Sequence, residues 1–133
     1  MNRLVTGIVL AFALCATAGA ASQWTLADAA REDPALTARA AAFMNGVAAG
    51  RIDRSHVSPD VNAALDDNTL RVLAKQLTAA GDPSWSFVSR VRTPAGERGF
   101  YRLAYGKVKL RLSFGTSDDG QVTAFRLVPE LGS

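Results

Sequence analysis

The segment from Gly99 to Phe114 alternates between apolar and polar residues with almost no interruption. Alternation with a period of two is typical of a strand that buries one face. The Gly106-Lys107 pair in its middle suits a two-residue hairpin turn that begins with glycine. The segment therefore predicts two antiparallel strands with a common apolar face, and another layer of structure must cover that face.

The same period continues through the rest of the C-terminal half. It predicts four strands, at Trp85–Arg92, Phe100–Tyr105, Val108–Phe114 and Val122–Val128. All three connections between them are short enough for hairpins, so the predicted sheet is an antiparallel meander.

Helical periodicity dominates the N-terminal half. Asp33 and Pro34 suit the start of a helix over Pro34–Ala49, and a second clear helix runs from about Asn68 to Ala80. Between them, Ser58-Pro59 favours a short helix that ends near Ala64. Helices followed by strands predict an α+β domain whose helices pack on one face of the sheet.

Tyr105 faces Val108 in the predicted hairpin, and the same register sets Arg102 directly across from Arg111. Like charges in such a pair lower the stability of the fold by roughly 0.2–1 kcal/mol. Strand parity assigns further cations to the same polar side, with no carboxylate among them. We call the predicted set the basic face: Arg90, Arg92, Arg102, Lys109, Arg111 and Arg126.

Three interpretations of the basic face remain open. It is a solvated face, since antiparallel sheets often leave one side wet; or it binds an acidic protein surface; or it binds a polyanion such as a cell-envelope polymer. Specific nucleic-acid binding is the weakest form of the last, because the chain has neither an RNA-binding aromatic motif nor a recognition-helix pattern.

The first twenty residues predict a secretory signal peptide. Arg3 precedes an apolar run from Leu4 to Cys15, and Ala18-Gly19-Ala20 suits a cleavage site. An uncleaved anchor and a lipoprotein linked at Cys15 are the alternatives. We therefore expect export to the periplasm or outside the cell, with residues 21–33 a flexible lead-in and 34–129 a single domain.

No residue pattern in the chain predicts catalysis or a bound metal. His56 is the only histidine and lies in a polar connector, and Cys15 is the only cysteine. Asp66-Asp67 is explained by a helix cap, and Asp118-Asp119-Gly120 by a hairpin turn. The sequence therefore predicts no catalytic residue, no metal site and no cofactor.

Aromatic residues are concentrated on the apolar side of the predicted sheet. Such a set can line a small-molecule pocket in which tyrosine hydroxyls orient a ligand, although it is more often core. The candidates are Trp85, Phe87, Tyr101, Tyr105 and Phe114.

Four stretches, AAGRID, HVSPDVNAAL, NTLRVLAKQLTAAGDP and DDGQVTAFRLVP, carry a family resemblance. Over about residues 34–129 the chain resembles small secreted bacterial domains of unknown function in the nuclear-transport-factor-like and cystatin-like superfamily, which includes ketosteroid isomerase. The resemblance implies a cone-like fold of helices on a sheet, and dimers through the sheet face. Tyr101 and Tyr105 match the isomerases' tyrosine in type, but no inward-facing acid accompanies them.

These observations favour an exported, non-catalytic binding or interaction domain of the cell envelope that uses the basic face. Its partner would be an acidic protein surface, an envelope polyanion or a second copy of the chain. The alternative is a pocket enzyme of the ketosteroid-isomerase type.

Overall fold

The computed structural model describes residues 24–130. Its helices are α1 (Leu26–Ala30), α2 (Pro34–Ala48), α3 (Pro59–Ala64) and α4 (Asp67–Ala80), with a 3₁₀ turn at Arg54–His56 before α3. The strands are β1 (Ser84–Thr93), β2 (Gly96–Tyr105), β3 (Val108–Thr116) and β4 (Val122–Pro129). The predicted signal peptide lies outside the described residues. Among residues 24–130, no helix is long and apolar enough to cross a bilayer.

The four strands form one antiparallel sheet in the order β1-β2-β3-β4. All the helices precede the sheet, so the predicted α+β class and meander are confirmed. The predicted hairpin register is confirmed as well: Tyr105 pairs with Val108, Leu103 with Leu110, and Arg102 with Arg111.

The helix boundaries follow local capping chemistry. The Asp33 carboxylate accepts a hydrogen bond from the Ala35 amide at the start of α2. Asp66 caps α4 through the Thr69 amide, so the helix begins at Asp67, one residue before the predicted start at about Asn68. In the predicted lead-in, Thr25 and Asp28 form a reciprocal capping box, and residues 26–30 are helical.

The core lies between the helices and one side of the sheet. Helix α2 contributes Leu36, Ala40, Met44 and Val47, all at most 4% exposed. Burial of apolar side chains on this scale is the main stabilising contribution to such a fold. Opposite them, the largest fully buried side chains of the sheet are Tyr101, Leu103, Leu112 and Phe114.

A β-bulge in β1 corrects the predicted basic face. Phe87 pairs with Tyr101 and Ser89 with Phe100, which leaves Val88 without a partner in the register. One extra residue reverses the alternation beyond it. Arg90 and Arg92 therefore lie on the helix-facing side, and Val91 is on the other side and 37% exposed.

The first hairpin is tighter than predicted, because β2 begins at Gly96 rather than Phe100. Gly96 has φ +137°, and a Cβ there would collide with the Thr116 carbonyl. Glu97 and Arg98, predicted to lie in a loop, are therefore strand residues that point to opposite sides of the sheet.

Candidate functional site

Arg90 lies at the centre of a charged cluster on the helix-facing side, with only 11% of its side chain exposed. Its Nε donates to the Arg31 carbonyl at 2.6 Å, and its Nη1 lies 3.0 Å from Glu97 Oε1. Its guanidinium carbon is 5.0 Å from the centre of the Trp24 ring, and its Nη1 lies 3.9 Å from Oδ2 of a second carboxylate, that of Asp33. Arg90 therefore attaches the N-terminal segment to the sheet, which is a structural role.

Arg92, the second arginine displaced by the bulge, also has acidic neighbours. Its guanidinium nitrogens lie 3.8 Å from Glu97 and 3.4 Å from Asp118. Two of the six predicted members of the basic face are thus neutralised on the opposite side of the sheet.

The outer face, the side of the sheet away from α2, is built of four transverse rows set by the strand register. From one end to the other, the rows are Val91–Arg98–Gly115–Ala124, Ser89–Phe100–Ser113–Arg126, Ser86–Arg102–Arg111–Val128 and Ser84–Ala104–Lys109, with Glu130 beside Lys109. It contains the four remaining predicted cations and adds Arg98.

The carboxylate of Glu130 lies beside the facing pair Arg102 and Arg111 and offsets their repulsion. Arg102 Nε and Nη2 donate to its two carboxylate oxygens at 2.7 and 2.6 Å, and Arg111 lies 3.9 Å away. The bonds from Arg102 hold the pKa of Glu130 below its usual value of 4.5 and raise that of Arg102. Sequence analysis missed this acid because it follows the predicted end of β4, although its parity matches Arg126.

Three outer-face cations have no such partner. Within residues 24–130 no carboxylate comes within 4.0 Å of Arg98, Lys109 or Arg126, and all three are exposed. The prediction of a face without any carboxylate was wrong, but an excess of positive charge remains on it.

Two shallow depressions of about 410 Å³ each lie on the outer face, one on either side of Phe100, Ser113 and Arg126. The first also contacts Arg111, together with Val88, Ser89 and Val128. The second contacts Arg98 and extends to Asp60 and Ala64 of α3. Each depression therefore combines apolar surface, at least one serine and two arginines.

The predicted aromatic pocket consists of residues that pack together as core. Trp85 and Phe87 pack edge-on against Tyr101, with ring centroids 5.5 and 6.0 Å apart, and Phe114 packs against Phe43. Tyr105 is also buried. Each of the described cavities contains at most one of the five predicted residues.

Within residues 24–130, neither core tyrosine has an acid or base hydrogen-bonded to its hydroxyl. Tyr101 Oη lies 3.2 Å from Thr37 Oγ1, which in turn donates to the exposed carboxylate of Glu32 at 2.8 Å. Burial raises the pKa of both Tyr101 and Tyr105. Their hydroxyls are therefore neutral near pH 7, and Tyr101 joins the core to α2.

A serine, a histidine and an aspartate meet in the 3₁₀ turn. His56 Nδ1 lies 2.6 Å from Asp53 Oδ2 and 3.1 Å from Ser55 Oγ. A catalytic relay needs the serine and the aspartate on opposite ring nitrogens, whereas here both contact Nδ1. Ser55 also donates to Asp53, which lowers the pKa of that carboxyl, so the group is a capping arrangement.

Among residues 24–130, no group of three or more His, Cys, Asp or Glu side chains is placed to hold a metal ion. No family model, curated protein or solved structure matched the chain. The superfamily resemblance therefore stays a prediction.

Proposed function

We propose that this chain is an exported, non-catalytic binding domain of the cell envelope whose outer face binds an anionic partner. The observation that carries the proposal is the charge imbalance of that face. Its rows present Arg98, Arg102, Lys109, Arg111 and Arg126 against one carboxylate, Glu130, which Arg102 engages.

The shape of the outer face supports a binding role over simple solvation. A flat wet face leaves arginines separately hydrated, whereas here they border two depressions with apolar surface. An anion seated there meets a positive potential next to low-dielectric walls, which strengthens its attraction. A guanidinium also offers paired donors that match a carboxylate or phosphate.

The proposed location in the envelope depends on the predicted signal peptide. The proposal that the domain is non-catalytic depends on the surroundings of the core tyrosines. An isomerase-like reaction needs a carboxylate beside the reacting carbon, but Glu32 reaches Tyr101 only through Thr37. Binding therefore accounts for the described residues with fewer assumptions than catalysis does.

The test compares two pairs of charge-removing substitutions. Arg98→Gln with Arg126→Gln removes two unpaired cations from the outer face, and Arg71→Gln with Lys75→Gln removes two from the exposed side of α4. Titration calorimetry would measure binding of polygalacturonate, long-chain polyphosphate and neutral dextran to each, at two salt concentrations.

We expect at least one polyanion to bind the wild-type domain more weakly as salt rises, and dextran not to bind. The outer-face pair should lose at least tenfold in affinity, while the α4 pair should stay close to wild type. Equal losses in the two pairs would mean that only net charge matters and would overturn the proposal.

A further inference from the structure

We infer that the partner of the outer face is a linear acidic glycan whose sugar rings follow one another along the strands. This inference rests on the proposed function and deepens it by naming the chemical class of the ligand. The inference depends on the residues that line the two depressions. Both are lined by Phe100, Ser113 and Arg126, and the second also by Asp60.

The two depressions suit two consecutive units of one chain. Each has its own arginine, Arg111 in the first and Arg98 in the second, and they share Arg126. The depressions lie on either side of one transverse row, so they follow each other along the strands, where adjacent outer-face rows are two residues, or about 6.5–7 Å, apart. That spacing suits two linked hexose rings, one in each depression, each able to place a carboxylate beside a guanidinium.

Apolar and small residues favour a sugar over a purely ionic polymer. Phe100 is half-buried and contacts both depressions, and Ser113 places a hydroxyl beside it. Gly115 and Ala124 leave the β3 and β4 half of the adjacent row nearly free of side chains. A sugar ring can place its C–H face on the aromatic ring while its hydroxyls bond the serines.

Asp60 also discriminates between ligands. It is an exposed residue of α3 that lines the second depression. A carboxylate accepts hydrogen bonds from sugar hydroxyls, but it repels the closely spaced charges of a polyphosphate. A ligand that mixes hydroxyls with carboxylates is therefore the better match to this end of the site.

The experiment measures oligogalacturonate, polyphosphate of matched charge and oligo(dT) by calorimetry against wild type, Phe100→Leu and Asp60→Asn. Val91→Ala, on the outer face but outside the lining of both depressions, is the control. We expect Phe100→Leu to weaken oligogalacturonate about tenfold through the lost ring contact and to leave polyphosphate within about twofold. Asp60→Asn should strengthen polyphosphate binding without strengthening oligogalacturonate binding.

The other outcomes separate this inference from the proposed function. If polyphosphate binds more tightly than oligogalacturonate and Phe100→Leu changes neither affinity, the glycan inference is overturned but the anion-binding face is kept. Phe100-dependent binding of oligo(dT), with no binding of oligogalacturonate, would replace the glycan by single-stranded nucleic acid. Failure of all three probes would overturn both proposals. Thermal melting of each variant would exclude misfolding as the cause of any loss.

Discussion

Arginines on the two sides of one sheet have different surroundings in this domain. Arg90, on the helix-facing side, has a carbonyl, two carboxylates and an indole around its guanidinium. Arg126, on the outer face, is exposed and has no carboxylate within ion-pair distance among the described residues. Because the same residue type occurs in both places, the difference separates structural arginines from those available to a partner.

The comparison also shows how local the neutralisation is. Glu97 serves both arginines of the helix-facing side, and Glu130 serves Arg102 and lies near Arg111. Neither acid lies within ion-pair distance of Arg126, which lines both depressions, or of Arg98, which lines the second. Two of the three outer-face cations that are unpaired among residues 24–130 therefore line the depressions, and the third, Lys109, lies outside them.

The largest expected effect is on the buried side of the sheet. Leu103 is fully buried, so Leu103→Ala should lower the free energy of unfolding by about 2–5 kcal/mol. Val128→Ala, on the outer face of β4, should cost clearly less. Urea unfolding followed by circular dichroism measures both, and equal losses would contradict the assignment of the two sides.

The next effect concerns Arg90. Arg90→Met keeps the aliphatic stem but removes the charged donors, and we expect a loss of about 1.5–3 kcal/mol because Glu97 and the Arg31 carbonyl lose their partner. Hydrogen exchange of α1 should accelerate in the same variant. A neutral result would mean that Arg90 does not hold the N-terminal segment.

A smaller effect is expected at the Arg102–Glu130 pair, and it depends on pH. Since the pKa of Glu130 lies below 4.5 in the folded protein, its contribution is present above that pH and disappears as the pH falls through the lowered value. Glu130→Gln should therefore melt below wild type at pH 7, and the difference should close in acid. Asp82→Asn, which changes an acid outside the ion pairs, is the control.

Arg102→Thr tests the same pair from the other side. Repulsion from Arg111 alone predicts that removing Arg102 stabilises the protein. The observed pair with Glu130 predicts the opposite, a lower melting temperature at pH 7. An unchanged or higher melting temperature would mean that the ion pair contributes nothing.

The smallest expected effect on stability belongs to the unpaired arginines. Arg98→Gln and Arg126→Gln should each change the free energy of unfolding by no more than about 0.5 kcal/mol, because neither side chain has an acidic partner among residues 24–130. Chemical unfolding of the single variants checks this. A loss of 2 kcal/mol or more would give them a structural role like that of Arg90 and remove the contrast.

The fold could be predicted because its signals reinforce one another. The Gly106-Lys107 turn and the alternation on both sides of it allow one register, since a slip by one residue would place apolar residues opposite polar ones. The caps at Asp33 and Gly81 likewise coincide with the ends of helical periodicity.

The candidate site was harder to predict. The side of the sheet on which a strand residue lies depends on bulges and on where neighbouring strands begin, and the sequence of one strand does not show these. After Val88, the stretch Ser89-Arg90-Val91-Arg92 alternates in either register, so the bulge that reverses Arg90 and Arg92 has no local marker. Arg98 was assigned to a loop because of Pro94 and Gly96. Glu130, by contrast, was predictable, since Arg126, Val128 and Glu130 share one parity.

The most direct test of the account is an NMR titration that follows the arginine Nε–H signals of the isotope-labelled domain as oligogalacturonate is added. Arg98, Arg111 and Arg126 should shift progressively, with shifts that shrink as salt rises, while the signal of Arg90 stays in place. Movement of the Arg90 signal with the other three unchanged, or no movement of any arginine signal in low salt, would contradict an anion-binding outer face.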